Sequence, residues 1–304
     1  MKLPTIETII EQIANTRYLP STIRVTCNDK LSEILFRGVS LKKPFNLFEK
    51  RNFGKKQEEI ITICQVTGVN SLNEFDRAVF DVCISEQLFD NCYTTVNAIF
   101  RALIGQVGTS AIRPMKNQQA AVIESLKRLM TANITFKDLT DNLKKLGYIK
   151  GNKTFSLHST NILPAVLLEE KTYRVNGNDI DTVVYFYTRS PLFDIADVKC
   201  QILRYRHELF NVPNQNNTPR IITLKSYVMR RVFEIKNHKM TPTITFDDVF
   251  KKCRIADKDS KTILRARNSI TQLFQHLKDI REIKKFEVTK NRGAFYSVNF
   301  TFLA

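Results

Sequence analysis

The chain lacks the long apolar runs and the metal-binding motifs that define several protein classes. It has no stretch of about 18 consecutive apolar residues, and its first residues, MKLPTIETIIEQIANTR, carry acidic side chains where a signal peptide needs an apolar core. Six cysteines are present, but none forms a CxxC pair and none has a histidine at zinc-finger spacing. We therefore expect a cytoplasmic protein without a membrane segment, a metal or a cofactor.

The motifs of common catalytic sites are also missing. The four histidines stand singly, so the sequence offers neither HExxH nor the His-apolar-His pair with which rolling-circle nickases hold a metal. The segment GYIKGNKT at 147–154 lacks the glycine and lysine order of a phosphate-binding loop. We expect no enzymatic activity, because a relaxase or nuclease would need a metal constellation that the sequence does not show.

Positive charge, by contrast, is present in excess. The chain has 47 Lys+Arg against 30 Asp+Glu, a net charge of +17. Such an excess is typical of proteins that bind polyanions, most often nucleic acid, and an ordinary basic protein is the alternative. With 304 residues, 43% of them hydrophobic, the chain is long enough for two globular domains.

The pattern along the chain predicts an N-terminal arm of unassigned role at 1–57 and a first domain at 58–188. The arm has one predicted helix at about 5–15. The first domain begins with a strand at 58–66 and continues with three helices and then four strands. The helices are predicted at 71–89, 93–105 and 116–132, and the strands at 134–140, 155–159, 165–175 and 182–188.

The third predicted helix of this domain separates apolar from polar residues. Its apolar stripe is Ala120, Ile123, Leu126, Leu129 and Met130. The opposite face carries Lys116, Asn117, Gln118, Gln119, Lys127 and Arg128. Cations of this kind bind phosphates and amides read base edges, so the face is a DNA-binding candidate. An ordinary solvated helix face is the alternative.

A second domain at 189–304 repeats the same order. Helices are predicted at 190–201, 223–238, 245–254 and 260–280, with a loop at 212–220 and a basic hairpin at 285–300. Thr245 and Ser260 are the predicted caps of the last two helices. The apolar stripe of the last helix is Ile263, Ala266, Ile270, Leu273, Phe274 and Leu277.

The candidate DNA-binding residues of the second domain lie on this last helix, just before it and in the hairpin. They are Lys258, Lys261, Arg265, Arg267 and Asn268, followed by Lys290 and Arg292 at the hairpin tip. The two hairpin cations suit phosphate contacts better than base reading. Helix, helix, basic helix and basic hairpin is the winged-helix order, so we predict an α+β fold with two tandem winged-helix DNA-binding domains.

Two such units in tandem resemble the replication initiator (Rep) proteins of theta-replicating plasmids, which bind iterons. The likeness covers roughly residues 58–304. It rests on LNEFDRAVFDVCIS and TTVNAIFRALIG in the first half, and on SPLFDIADVKCQI, ITLKSYVMRRVFEIK and the helix at 260–280 with its hairpin in the second.

The resemblance implies a protein that binds double-stranded DNA at repeated origin sites and promotes opening of the adjacent duplex. It also implies a homodimer that represses its own gene, and a host replication initiator and replicative helicase as partners. A winged-helix transcriptional repressor without a replication role is the alternative function. A structural protein whose charge is incidental is another.

Overall fold

The structure is a computed structural model, and it describes most of the two predicted domains. The described residues are 22–26, 35–36, 45–48, 61–67, 72–87, 92–106, 114–137, 159–168, 173–175, 178–180, 182–190, 202–291 and 294–303. The predicted helix at 5–15, nearly all of the predicted helix at 190–201, and Arg292 lie outside the described residues.

The described residues form six α-helices, one 3₁₀ turn and fourteen strands. The first part contains β1 (Thr22–Thr26), β2 (Phe45–Phe48), β3 (Ile61–Thr67), α1 (Glu74–Gln87), β4 (Tyr93–Thr95), α2 (Val96–Leu103), α3 (Lys116–Thr131), β5 (Asn133–Lys137), β6 (Ser159–Asn161), β7 (Ala165–Leu168), β8 (Tyr173–Val175), β9 (Asn178–Ile180) and β10 (Val183–Phe186). The second part contains β11 (Ile202–Arg206), the 3₁₀ turn (His207–Phe210), α4 (Pro219–His238), β12 (Thr243–Thr245), α5 (Phe246–Lys252), α6 (Ser260–Asp279), β13 (Ile283–Asn291) and β14 (Ala294–Phe302).

Both parts contain the same arrangement of three helices and a three-stranded antiparallel sheet. In the first unit β10 lies between β4 and β7, so that Val184 pairs with Thr94 on one side and with Leu167 on the other. In the second unit β14 lies between β12 and β13 in the same way. In each unit a helix, a short strand and two further helices are followed by two antiparallel strands that complete the sheet, β7 and β10 in the first unit and β13 and β14 in the second. This order confirms the prediction of an α+β protein with two tandem winged-helix units.

A repeated capping device starts the second helix of each unit. The last residue of the short strand is a threonine, and its hydroxyl accepts a hydrogen bond from the backbone N–H three residues later. Thr95 Oγ1 accepts from Ala98 at 3.1 Å, and Thr245 Oγ1 accepts from Asp248 at 3.3 Å. The predicted cap at Thr245 is thus confirmed. In the first unit the helix predicted at 93–105 starts after its cap Thr95, which is also the last residue of the strand β4.

Two other helix starts differ from the prediction. α4 begins at Pro219, inside the predicted loop, because Thr218 caps it and proline fits the first helical turn. α6 is capped by Asp259 rather than by Ser260. The Asp259 carboxylate accepts from the backbone N–H of Thr262 at 2.9 Å and from its hydroxyl at 2.8 Å, and these bonds lower the pKa of Asp259.

The N-terminal arm contributes strands to two sheets. β1 pairs antiparallel with β11, which lies more than a hundred positions later in the chain, and β2 pairs antiparallel with β3. These pairings join the arm to both predicted domains. The boundaries at 57/58 and 188/189 stay predictions.

The two winged-helix units share one hydrophobic core, and charged side chains are buried where α1 meets α4. Arg230 on α4 donates to Glu74 on α1 at 2.9 Å, and the two side chains are only 3% and 10% exposed. Burial by itself would lower the pKa of Arg230, but the carboxylates of Glu74, Asp81 and Glu234 outweigh burial and raise it. Arg254 of the second unit also donates to the carbonyl of Leu72 at 3.1 Å. The units are therefore held together by specific polar contacts within a packed interface.

We expect Glu74→Ala to lower the free energy of unfolding by about 3 to 5 kcal/mol, because it leaves the Arg230 guanidinium buried without its carboxylate partner. Urea denaturation of the whole chain measures this change.

The control is Glu124→Ala, which removes the carboxylate that pairs with Lys127 at 3.2 Å on the surface of α3. Loss of this exposed pair is expected to change the free energy of unfolding by less than about 1 kcal/mol. Equal effects of the two substitutions would show that the Glu74 pair does not stabilise the junction.

Candidate nucleic-acid interface

The orientation of α6 is set by its buried face. Ala266, Ile270, Leu273, Phe274 and Leu277 are buried, as the sequence pattern predicted. The Phe274 ring packs between two aromatic rings of the hairpin, with ring centroids 5.8 Å from Phe286 and 5.3 Å from Phe300. The hairpin is thereby fixed against the inner side of the helix, and the opposite side faces solvent.

The solvent-facing side of α6 forms a continuous polar ridge, which we call the α6 ridge. Its members are exposed and lie three or four residues apart along the helix: Lys261, Leu264, Arg265, Asn268, Gln272 and Gln275. The ridge contains no acidic residue before Asp279 in the last turn. Within the described part of the chain, no carboxylate pairs with Lys261 or Arg265. Cations and amides in this order are the groups that bind phosphates and read guanine and adenine.

The two other sequence candidates near this helix differ from each other. Lys258 is exposed in the turn before α6, which places it beside the start of the ridge. Arg267 is only partly exposed, and its guanidinium carbon lies 5.8 Å from the centroid of the Phe250 ring on α5. The structure therefore corrects the placement of Arg267, which packs against the neighbouring helix instead of joining the ridge.

The hairpin is anchored by apolar contacts and by one asparagine that joins three strands. Val298 and Phe300 are buried, and Phe286 and Val288 pack against the core. The Asn299 amide donates to Thr289 on β13 at 2.6 Å and accepts from Thr243 on β12 at 2.8 Å.

Three lysines of β13 are exposed. Lys290 is exposed next to the hairpin tip, and Lys284 and Lys285 are exposed nearer the start of the strand. Arg292, the other predicted tip cation, lies outside the described residues. Because the hairpin is fixed to α6, these lysines extend the positive surface from the helix to the wing.

The helix α3 of the first unit turns a different side to the core than the sequence pattern predicted. Its buried residues are Gln118, Val122, Ser125, Leu126 and Leu129. Ala120, predicted in the apolar stripe, is exposed, whereas Gln118, predicted on the DNA-binding face, is only 8% exposed. The prediction for Gln118 is therefore wrong, because two of the inward positions hold polar residues that no hydrophobicity pattern marks as core.

Three more polar residues of α3 are engaged within the protein. Gln119 donates to the Asn97 side chain at 3.1 Å and is partly buried. Arg128 forms an ion pair with Asp76 on α1 at 2.6 Å. This pair joins α3 to another helix of the same unit. Lys127 is exposed but pairs with Glu124 on the same face.

Lys116 and Asn117 are exposed in the first turn of α3. Two sequence-predicted cations, Lys116 and Lys127, thus remain at the surface of this helix. The acidic Glu124 beside Lys127 weakens the positive potential there, so the α6 ridge is the stronger candidate for base reading.

Residues 211–218, which we call the bridging loop, contact both α3 and α6. The side chain of Gln118 on α3 donates to the backbone oxygen of Asn217 at 2.9 Å. Gln215 donates to the backbone oxygen of Ser269 on α6 at 3.0 Å. The sequence predicted only a surface loop here, and no local signal marks its role, because each partner lies at least fifty positions away.

A buried lysine, Lys225, hydrogen-bonds to the bridging loop and to the residue just before it. Lys225 on α4 is 1% exposed, and its ammonium group donates to the carbonyl of Phe210 at 2.8 Å and to the side chain of Asn217 at 2.9 Å. Both acceptors are neutral. Burial lowers the pKa of Lys225 from its ordinary value of 10.5 to about 7.

This pKa predicts a pH-dependent stability. Between pH 7 and 10.5 the unfolded chain keeps a proton that the native Lys225 has released, so the native state gains stability relative to the unfolded state as the pH rises through this window. Lys225→Met removes the titrating group and should lose this increment. The wild type is therefore expected to gain stability relative to Lys225→Met from pH 7 to pH 10, as measured by urea denaturation.

Lys251→Met, which removes an exposed lysine of α5, is the control for the loss of one charge. If wild type and Lys225→Met differed by the same free energy at every pH, Lys225 would not titrate in this window.

The fold and the surface together define a tandem winged-helix protein with one strongly basic recognition-type helix. No protein-family model matches the chain, and no curated protein matches it. Two solved structures are similar, both of domains 2 and 3 of RctB. The crystal structure of the selenomethionine derivatives of these domains is 12% identical, with 89% of this chain and 97% of that chain covered and a TM-score of 0.38. The structure of RctB residues 155–483 is 12% identical, with coverages of 86% and 92% and a TM-score of 0.37.

Within the described residues, no helix has the length and apolar content to cross a membrane. The same part of the chain contains no group of three or more His, Cys, Asp or Glu side chains arranged to hold a metal ion.

Proposed function

We propose that this protein binds double-stranded DNA in a sequence-specific manner and acts as a replication initiator at repeated plasmid origin sites. The observation that carries the DNA-binding part is the α6 ridge, on which Lys261, Arg265 and Asn268 are exposed side by side on one face of a winged-helix unit. Such a helix presents base-reading groups to the major groove while the wing cations contact the backbone. The replication part rests on the resemblance of the sequence to plasmid initiators.

The two units would contact DNA with a fixed relative placement. The Arg230–Glu74 pair, the Arg254 contact with Leu72 and the bridging loop all join one unit to the other. A single chain would therefore engage two segments of one duplex, with α6 as the main reader and the first turn of α3 as a second contact. Direct repeats of about 20 base pairs, two helical turns, would suit this arrangement.

The protein would act by binding and not by catalysis, without a metal or cofactor. As the resemblance implies, it would work with a host replication initiator and a replicative helicase, and a homodimer would repress its own gene. These partners and a cytoplasmic location are part of the proposal.

Substitution of one ridge residue tests the assignment of α6. Duplexes selected by the purified protein from a random-sequence library supply the probe. We expect Arg265→Ala to weaken binding to the selected duplex by about 1 to 3 kcal/mol and to reduce discrimination against unrelated duplexes, because it removes a base contact. Fluorescence anisotropy titration at fixed salt measures both quantities.

Two further variants sharpen this test. Arg204→Ala removes an exposed arginine of β11 and should leave binding unchanged. The double variant Lys290→Ala/Arg292→Ala should weaken binding to all duplexes about equally and make the salt dependence shallower, because phosphate contacts carry no sequence information. If Arg265→Ala retained both the affinity and the discrimination of the wild type, α6 would not be the reading helix.

The replication role has a separate test. A plasmid without an origin, supplied with the gene and its neighbouring DNA, is expected to be maintained with the wild-type protein and lost with Arg265→Ala. Repression of the neighbouring promoter without plasmid maintenance would instead assign the protein as a transcriptional repressor.

A further inference from the structure

The α6 ridge contains one apolar member, Leu264. Its side chain is 50% exposed, whereas the other two leucines of the helix, Leu273 and Leu277, are buried. Leu264 lies one turn after Lys261 and one turn before Asn268, and Arg265 follows it directly. A leucine therefore stands within the group of polar side chains that the proposed function assigns to the major groove.

Exposure alone does not give a leucine a role, because single apolar residues are common on protein surfaces. A role is indicated by the polar side chains on either side of Leu264. Side chains three and four residues apart on a helix lie side by side, so a surface contacted by both Lys261 and Asn268 must also reach Leu264. An apolar protein partner would bury the Lys261 and Arg265 cations together with the leucine, at a large desolvation cost.

The major groove of DNA offers one protruding apolar group, the 5-methyl group of thymine. Apart from the small C5–H of cytosine, every other group that a base pair presents there is a hydrogen-bond donor or acceptor, and an aliphatic side chain cannot pair with it. A leucine within a base-reading ridge therefore has one favourable target.

We propose that Leu264 contacts the methyl group of a thymine and selects a T·A pair at one position of the recognised site. The inference rests on the proposed function, since it requires α6 to enter the major groove. It adds a base identity to the site, next to the bases contacted by Arg265 and Asn268.

Replacement of thymine by deoxyuridine tests this directly, because deoxyuridine keeps all base-pairing groups and lacks only the methyl group. Each thymine of the selected duplex is replaced in turn, and binding is measured with wild-type protein and with Leu264→Ala. For the wild type, one position is expected to lose about fourfold in affinity, the value for removing one buried methyl group. Leu264→Ala should bind the normal duplex and the deoxyuridine duplex at that position equally well, since the two changes remove the same contact.

Leu303→Ala is the matched control, because Leu303 is also 50% exposed but follows β14 at the base of the hairpin. It should keep the wild-type sensitivity to deoxyuridine. If a specific duplex were selected but no thymine mattered, or if Leu264→Ala kept the same sensitivity, the thymine contact would be refuted while DNA binding stood. If no specific duplex could be selected, the proposed function would fail, and this inference with it.

Discussion

The ion pair between Arg230 and Glu74 is the contact on which the arrangement of the two units depends. An arginine with 3% of its side chain exposed is costly to bury unless carboxylates surround it, and Glu74 supplies one of them from the other unit. The charge therefore requires α1 and α4 to face each other. Since each of these helices is the first element of its winged-helix unit, their contact also determines where the later helices α3 and α6 lie.

The bridging loop adds a second constraint closer to α3 and α6. A surface loop that hydrogen-bonds to both α3 and α6 links the start of one helix to the middle of the other. Lys225 supports this loop through two neutral acceptors, and burial of its amine lowers its pKa. The protein thus combines a charged junction in the core with a polar link near the surface.

The sequence pattern predicted the second unit better than the first, and the reason lies in the residues at the inward positions. On α6 the inward residues are all apolar, so their spacing shows the outward face directly. On α3 the inward set includes Gln118 and Ser125, and polar residues on the buried side misplace the face by about a quarter of a turn. At the start of α6, Asp259 and Ser260 are both good capping residues, and only the backbone geometry decides between them.

By itself the sequence determined the positive charge, the order of the main helices and the terminal hairpin, and the exposed ridge of α6. These features follow from composition and from the spacing of residues close together in the chain. The tertiary structure decided the roles of Gln118, Arg128, Arg267 and Lys225, which are packed or bonded within the protein. Two of the partners are distant in sequence: Asn217 lies 99 positions from Gln118, and Asp76 lies 52 positions from Arg128. A polar residue that pairs with such a partner and one that faces solvent have the same local sequence signal, and only the folded chain distinguishes them.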